Sequence, residues 1–352
     1  TPDWQQGNPN FVIDYWHQMD DGIFPKDEQG NRTQKAIIDD FLQGHPEDYF
    51  VGGYIWPQYG HFMGGPRARR IEETFKAKNK KEYPMYDPEL GAIYQGTYGQ
   101  WHERLGDMID NLPQFLDAPG EFYHDEATGI LFLRTAEGVD PNNMRLELSN
   151  LTTGVSISNN AHIDIDGLTF RYYNSFGIST EQNVSDIRIA NCVFEDILFE
   201  AISHSFGNWR VKKEPEFATN LIITDCYFQD IWTTAIQMED TTPDKDKILG
   251  HVEVLRNKTV NTGIRHKDNV QTPLPSINLR FMQTAHIAGN VVEDSWGSGL
   301  MVFGGTHGQG SGSQAEIPLN RILVHHNKTL NTAQAVNDYG GMSLWQGGPI
   351  YC

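Results

Sequence analysis

Cysteine, basic charge and long apolar runs are all scarce in this chain, and each shortage excludes something. Three cysteines in 352 residues, Cys192, Cys226 and Cys352, cannot build a disulfide framework, so they leave the compartment open. Lys and Arg number 27 against 46 Asp and Glu, a net charge of −19. Nucleic acid and anionic membranes would be repelled by that charge and are excluded as partners. No apolar stretch approaches the ~18 residues that a spanning helix needs. Hydrophobic residues at 38% and charged residues at 21% describe a globular chain, long enough for one large core or two or three ordinary ones. Five Asn-x-Ser/Thr triplets, at Asn31, Asn150, Asn183, Asn257 and Asn327, read as chance matches. The chain opens at Thr1 with no signal peptide visible, which leaves room for a removed one. The one basic stretch, Arg67-Ala-Arg-Arg70 with Lys76, Lys78, Lys80 and Lys81, reads as a solvated helix face.

What the chain does have is a repeat. IANCVFEDI from Ile189 returns as ITDCYFQDI from Ile223, VLRNKTVNT from Val254, IAGNVVEDS from Ile287 and VHHNKTLNT from Val324, at intervals of 34, 31, 33 and 37 residues. A fixed period of this size marks stacked supersecondary units. Each copy alternates apolar and polar residues, crosses Asn, Asp or Cys, and opens a second short β-branched run. That is strand period rather than helix period. The expected fold is therefore all-β, a right-handed parallel β-helix over 150–352, with residues 1–149 as a separate appendage. In a solenoid, equivalent residues stack about 4.8 Å apart, so Cys192, Cys226, Asn257, Asn290 and Asn327 should form one ladder of small buried side chains. Two thiols and amides make a poor metal set, and no metal site is expected.

A second set of segments follows each repeat: 177–181, 201–205, 235–239, 276–280, 299–303 and 341–345. Strand alternation turns Ile178, Ile202, Ile236, Ile277, Leu300 and Met342 inward, together with Thr180, His204, Met238, Leu279, Val302 and Leu344. In that position His204 reads as a hydrogen-bonded core histidine, with substrate contact as the alternative. The outward column runs Glu181, Ser205, Glu239, Arg280, Phe303 and Trp345. Carboxylates for acid and base work, beside rings that can stack on a sugar's C–H face, suit a carbohydrate groove. Glu181 and Glu239, two coils apart, would stand roughly 9.6 Å from each other, near the upper end of the ~6.5–9.5 Å of inverting glycosidases. A Glu239–Arg280 ion pair between adjacent coils is the plain alternative. The Gly/Ser-rich stretch 304–316 reads as a surface loop that could wall the groove.

In the front part, FLDAPGEFYHDEATGILFLRT reads as two strands joined by the turn Asp125-Glu-Ala-Thr-Gly129. This segment resembles the hairpin motif of large β-helix glycoside hydrolases, notably families 120 and 141, and HPEDYFVGGYIW at 45–56 is similar to the segment preceding it there. The resemblance implies a β-sandwich-like appendage, hydrolysis of plant or algal polysaccharides by paired carboxylates near the late coils, and a secreted or periplasmic setting. Asn337-Asp338-Tyr-Gly-Gly-Met-Ser343-Leu-Trp345 resembles the family's turn and strand carrying a catalytic Asp, which places that role on Asp338; Ser343 stands where the family has Tyr. Trp296 and Trp345 would flank it and exclude water. An Asx-type turn is the alternative role for Asp338. Glu239 and Asp294 are candidate partners, and because the relatives run on through further coils, the partner could also lie past Cys352.

Two other classes compete. A polysaccharide lyase on the same scaffold would use a base among His204, Arg280 and Lys267, with Ca²⁺ held by acidic residues such as Asp240. A non-catalytic β-helix would bind carbohydrate without turnover. Hydrolysis itself calls for no cofactor.

Overall fold

The computed structural model of the protein describes residues 17–18, 21–23, 35–38, 45–46, 48–55, 69–75, 91–94, 106–107, 109–205, 217–239, 248–263, 275–280, 282–303, 321–334, 340–345 and 350–351, for some strand positions by backbone alone. Two compact units divide between Leu146 and Glu147.

The first unit is antiparallel. Its six-stranded sheet runs Asp21–Ile23, Lys35–Ile38, Gly91–Tyr94, Arg69–Phe75, Tyr54–Ile55, Ile109–Asp110. Arg69 and Arg70, expected on a helix, begin a strand instead. The β-branched and aromatic Ile71, Thr74 and Phe75 suit a pleated surface, and Ile71 is wholly buried there. The motif hairpin pairs Phe122–Asp125 with Ile130–Leu133. Asp125 holds the turn by accepting from the Ala127 N–H at 3.0 Å and the Thr128 hydroxyl at 2.6 Å, bonds that keep its carboxyl below the usual range. Gly120 takes φ +96°, open to glycine. Buried Glu121 accepts from the backbone N–H groups of Asp117 and Ala118, each at 2.7 Å. The Pro-Gly-Glu triplet is thus a structural clasp.

The second unit is a parallel β-helix, with the right-handed winding that parallel crossovers take. The chain visits three sheets in turn, and each strand pairs in parallel with its equivalent one coil on. Sheet one stacks Leu151–Ile157, Tyr173–Thr180, Glu200–Ser205, Ile236–Glu239, Ile277–Arg280, Leu300–Phe303 and Met342–Trp345. Sheet two runs from Ala161–Asp166 to Ile350–Tyr351, and sheet three from Thr169–Arg171 to Lys328–Leu330. The interior is a continuous apolar column: Ile178, Ile202, Ile236, Ile277 and Leu300 from sheet one, Ile189, Ile223, Val254 and Ile287 from sheet two. Phe170, Phe194 and Phe228 from sheet three stack ring on ring at 5.0 and 4.9 Å. Met342, also on sheet one, keeps 45% of its surface; among the described residues its strand pairs with Leu300–Phe303.

The corner between sheets two and three is the same in every repeat: Asn191-Cys192, Asp225-Cys226, Arg256-Asn257, Gly289-Asn290, His326-Asn327. Each first residue has φ between 52° and 69°, a left-handed turn that Asn, Asp and Gly adopt most readily. Each second residue turns inward and forms the expected ladder. Asn290 shows the pattern: its Oδ1 accepts from the Asn257 N–H at 3.0 Å and the Asn257 Nδ2 at 3.1 Å, while its own Nδ2 donates to Val254 O at 2.8 Å and Asn327 Oδ1 at 2.9 Å. Cys226 and Cys192 donate to carbonyls of their own coil at 3.3 and 3.1 Å. Burial pushes the Cys226 thiol up to about 12, so it stays protonated and unreactive.

Asn290→Ala should strip partners from two buried Asn257 donors and from two acceptors, costing about 2–4 kcal/mol. A urea titration following the β-sheet circular dichroism should show the midpoint fall; an unchanged midpoint would deny the ladder its role.

Candidate functional site

The three outer faces of the β-helix differ. Sheet two carries exposed cross-coil ion pairs, Arg188 with Asp164 and Asp166 at 2.7 and 2.9 Å. Sheet three carries Arg171–Glu195 at 2.9 Å and Lys258–Glu293 at 2.8 Å. Such pairs are ordinary solvated decoration. Sheet one instead buries its outward polar residues: Ser203, Gln237, Asn278 and Arg280 keep 5%, 9%, 3% and 9% of their surface. Asn278 Nδ2 donates to Gln237 Oε1 at 2.8 Å, Arg280 Nε donates to Asn278 Oδ1 at 3.0 Å, and the Arg280 guanidinium lies 4.3 Å from the centre of the Phe303 ring. A buried, chained polar network over three consecutive coils is a costly thing to build for shape alone.

Connection lengths point to the same face. The corner between sheets two and three never exceeds two residues, whereas the connections bordering sheet one extend over residues 206–216, 240–247 and 304–320 on one side and 263–276 and 331–341 on the other. Sites are built where loop length is free to vary on a rigid frame.

The register predicted from the sequence is the register found. Ser205 pairs with Glu239, Glu239 with Arg280, Arg280 with Phe303 and Phe303 with Trp345. Glu181 follows the strand Tyr173–Thr180, where its N–H donates to Ile157 O at 2.9 Å, and its side chain is exposed. The side chains of Ser205, Glu239 and Trp345 lie outside the described residues, as does Asp338 altogether, together with Asp240, Lys267 and the stretch 304–316. Glu239 and Arg280 are register neighbours; an ion pair between them is not described.

Several expected roles change. His204 faces the core, wholly buried, with Nδ1 2.8 Å from the Thr180 hydroxyl; it is a core histidine with no exposed surface. Burial pushes it down to about 3, so it stays neutral and is unsuited to the base role a lyase would ask of it. Trp296 keeps 5% of its surface and donates Nε1–H to Asn261 Oδ1 at 3.2 Å, which makes it a corner-packing residue. Phe303 is buried under Arg280, so that one ring face is already taken. Asp294 sits on sheet three in the left-handed region, φ 54°, accepting from Asn331 Nδ2 at 3.2 Å. Asp230, two coils below, does likewise from Asn261 at 2.6 Å. Asp294 is therefore a rung of a turn ladder and lies on a different sheet from Glu239.

The column of Ser203, Gln237, Asn278 and Met301 was passed over in the sequence. Two amides at one repeat position were the available signal, since a solvated column has no need of pairing amides. Near the Asp338 segment, Ser343 Oγ accepts from the Gly340 N–H at 3.2 Å, and Ser298 donates to Gly340 O at 2.8 Å. Ser343 thus pins the turn. A Cβ on Gly341 would meet Thr329 Oγ1 at 2.6 Å, so the glycine is required by close packing. Among the described residues no group of three or more His, Cys, Asp or Glu is gathered that could hold a metal ion, and none of their helices is long and apolar enough to cross a membrane.

No family model matches the chain, and no curated protein matches it. A solved structure described as a glycoside hydrolase aligns over 95% of this chain and 74% of its own, at 12% identity and a TM-score of 0.49. The parallel β-helix itself rests on strand order and register within this chain.

His204 generates a prediction. Its folded-state value lies below that of the unfolded chain, so the unfolded state binds the extra proton, and the stability held above pH 6.5 is lost as pH falls toward about 3. At pH 4 this amounts to roughly 3 kcal/mol. His204→Met, matching Met238 in the next coil, should flatten the loss of stability between pH 7 and pH 4; an acid slope equal to that of the wild type would remove His204 as its source.

Proposed function

We propose that this protein is a glycoside hydrolase that binds a polysaccharide or its oligosaccharides along the outer face of sheet one. The single observation carrying the proposal is the buried amide–guanidinium–ring network of Gln237, Asn278, Arg280 and Phe303 on that face, whereas the ion pairs of sheets two and three are solvated. Amides and a guanidinium fixed by one another give the face a rigid polar floor, which lowers the entropy cost of binding above it. The hairpin and terminal-strand motifs resembling families 120 and 141 support the same reading.

Glu239, one coil before Arg280 in the same register column, and Asp338 are the proposed carboxyl pair. One donates a proton to the glycosidic oxygen as the bond to the anomeric carbon breaks. The other activates water or attacks the anomeric carbon, according to their separation. Arg280 would favour the ionised form of a carboxylate nearby. Asp294, held in its turn ladder, is assigned a structural role. The substrate class is a plant or algal polysaccharide and the setting secreted or periplasmic; the chemistry needs no cofactor.

Incubation with a panel of such polysaccharides should release reducing ends without the ultraviolet absorbance of unsaturated uronates. Glu239→Gln and Asp338→Asn should each lower kcat on the hydrolysed substrate by about 10²–10⁴-fold, with thermal midpoints unchanged. Unsaturated products would establish a lyase, and binding without turnover a recognition module; either outcome ends the hydrolase reading.

A further inference from the structure

A second feature lies on the outer face of sheet two. There His286, on Met282–Ala288, and His325, on Arg321–His325, are diagonal neighbours on adjacent strands: Ala288 pairs with His325, and His286 with Leu323. Diagonal side chains of an adjacent strand pair are within reach of each other. Their Nε2 atoms stand 2.9 Å apart, with ring centres at 5.0 Å. His325 turns its other nitrogen, Nδ1, to His326 Nδ1 at 2.7 Å. On the previous strand, Glu253 pairs in register with His286 and accepts from His251 Nε2 at 3.1 Å. His325 and His326 are exposed and His286 is half-buried.

Two unprotonated imidazole nitrogens facing each other at this distance repel. The contact is satisfied either by a proton on one ring, making a hydrogen bond, or by a cation shared between them. At 2.9 Å the contact has an ordinary hydrogen-bond length, and the same spacing accommodates a cation in place of the shared proton. Ligand nitrogens about 2.0–2.1 Å from one metal and 2.9 Å apart subtend about 90° at it, the angle between adjacent ligands in tetragonal or octahedral coordination, while a tetrahedral ion would spread them to roughly 3.3–3.4 Å. Imidazole with square or tetragonal geometry is the preference of Cu²⁺ and Ni²⁺.

We infer that His286 and His325 form a two-imidazole surface site for a tetragonal divalent transition-metal ion, chelated through both Nε2 atoms and open to water on its other positions. His326 is the positioning residue. By accepting the His325 Nδ1–H it fixes the tautomer that leaves the His325 Nε2 lone pair free, the usual role of a partner behind a metal-bound histidine. The site takes three residues from two successive coils and lies on sheet two, so it is separate from the carbohydrate face in both residues and sheet. A metal there would tie the strand Arg321–His325 to its predecessor.

Ni²⁺ titrated calorimetrically into the full chain tests this. The wild type should bind one equivalent that is absent from the double variant H286Q/H325Q, and H326Q should bind that equivalent about 10-fold or more weakly. His251→Gln, whose ring is engaged with Glu253, should leave it unchanged and controls for the remaining histidines among the 13 in the chain. With Cu²⁺, the electron paramagnetic resonance spectrum should show hyperfine coupling to two equivalent nitrogens that the double variant loses. His325→Ala alone serves should the double variant fold poorly. Equal stoichiometry and affinity in wild type and H325A, or no Ni²⁺ bound by the wild type at millimolar metal, would overturn the site.

Discussion

The inward amide at the corner between sheets two and three is the constraint on which the rest of the second unit depends. A turn of two residues leaves a backbone N–H facing the interior, and a buried donor without an acceptor is expensive. Asn257, Asn290 and Asn327 solve this by offering a carbonyl oxygen to the coil before, at 3.0 Å for Cys226, Asn257 and Asn290 alike. The solution works where the following coil brings an amide to the same place, as Asn257, Asn290 and Asn327 do, while Cys192 and Cys226 fill the position with a small buried side chain. It therefore holds the corner to one length and one left-handed conformation, and transmits the strand spacing from coil to coil.

With one corner held constant, variation in coil length falls on the other two, and both border sheet one. This is why a chain whose repeat interval wanders between 31 and 37 residues still stacks its strands in register, and why the free connections gather around a single face. The outward side of sheet one then differs in kind from its neighbours. Its polar groups are buried and bond to one another, so each is worth more and each loss costs more than among the solvated ion pairs of sheets two and three. That difference, rather than any one motif, locates the candidate carbohydrate face.

Much of this was legible residue by residue. The small–Ile–x–x–x segments are the register partners of sheet one, and the Cys/Asn ladder is in place. Other residues were misjudged for identifiable reasons. Alternation along a strand states which way a side chain leaves the backbone, not what then covers it, so Phe303 counted as an open ring and proved buried beneath Arg280. Trp296 looked like a stacking platform until its indole was seen bonded to Asn261. Asp294 carried the right functional group for catalysis, but its left-handed backbone and its bond to Asn331 make it a turn rung, and backbone sign is not written in a side chain's identity. Arg69 and Arg70 suggested a helix by charge spacing while the apolar residues after them favoured a strand, and burial of Ile71 decided the matter.

By itself, then, the sequence determined the period, the strand register and the inward columns, because these follow from local alternation and from a repeat that must superpose on itself. Tertiary structure alone decided which outward residues are solvated and which are buried, and which nitrogen of His325 meets which neighbour. Those outcomes depend on side chains from coils some 24 to 45 residues apart meeting across strands, where distance and burial, not residue type, set the chemistry.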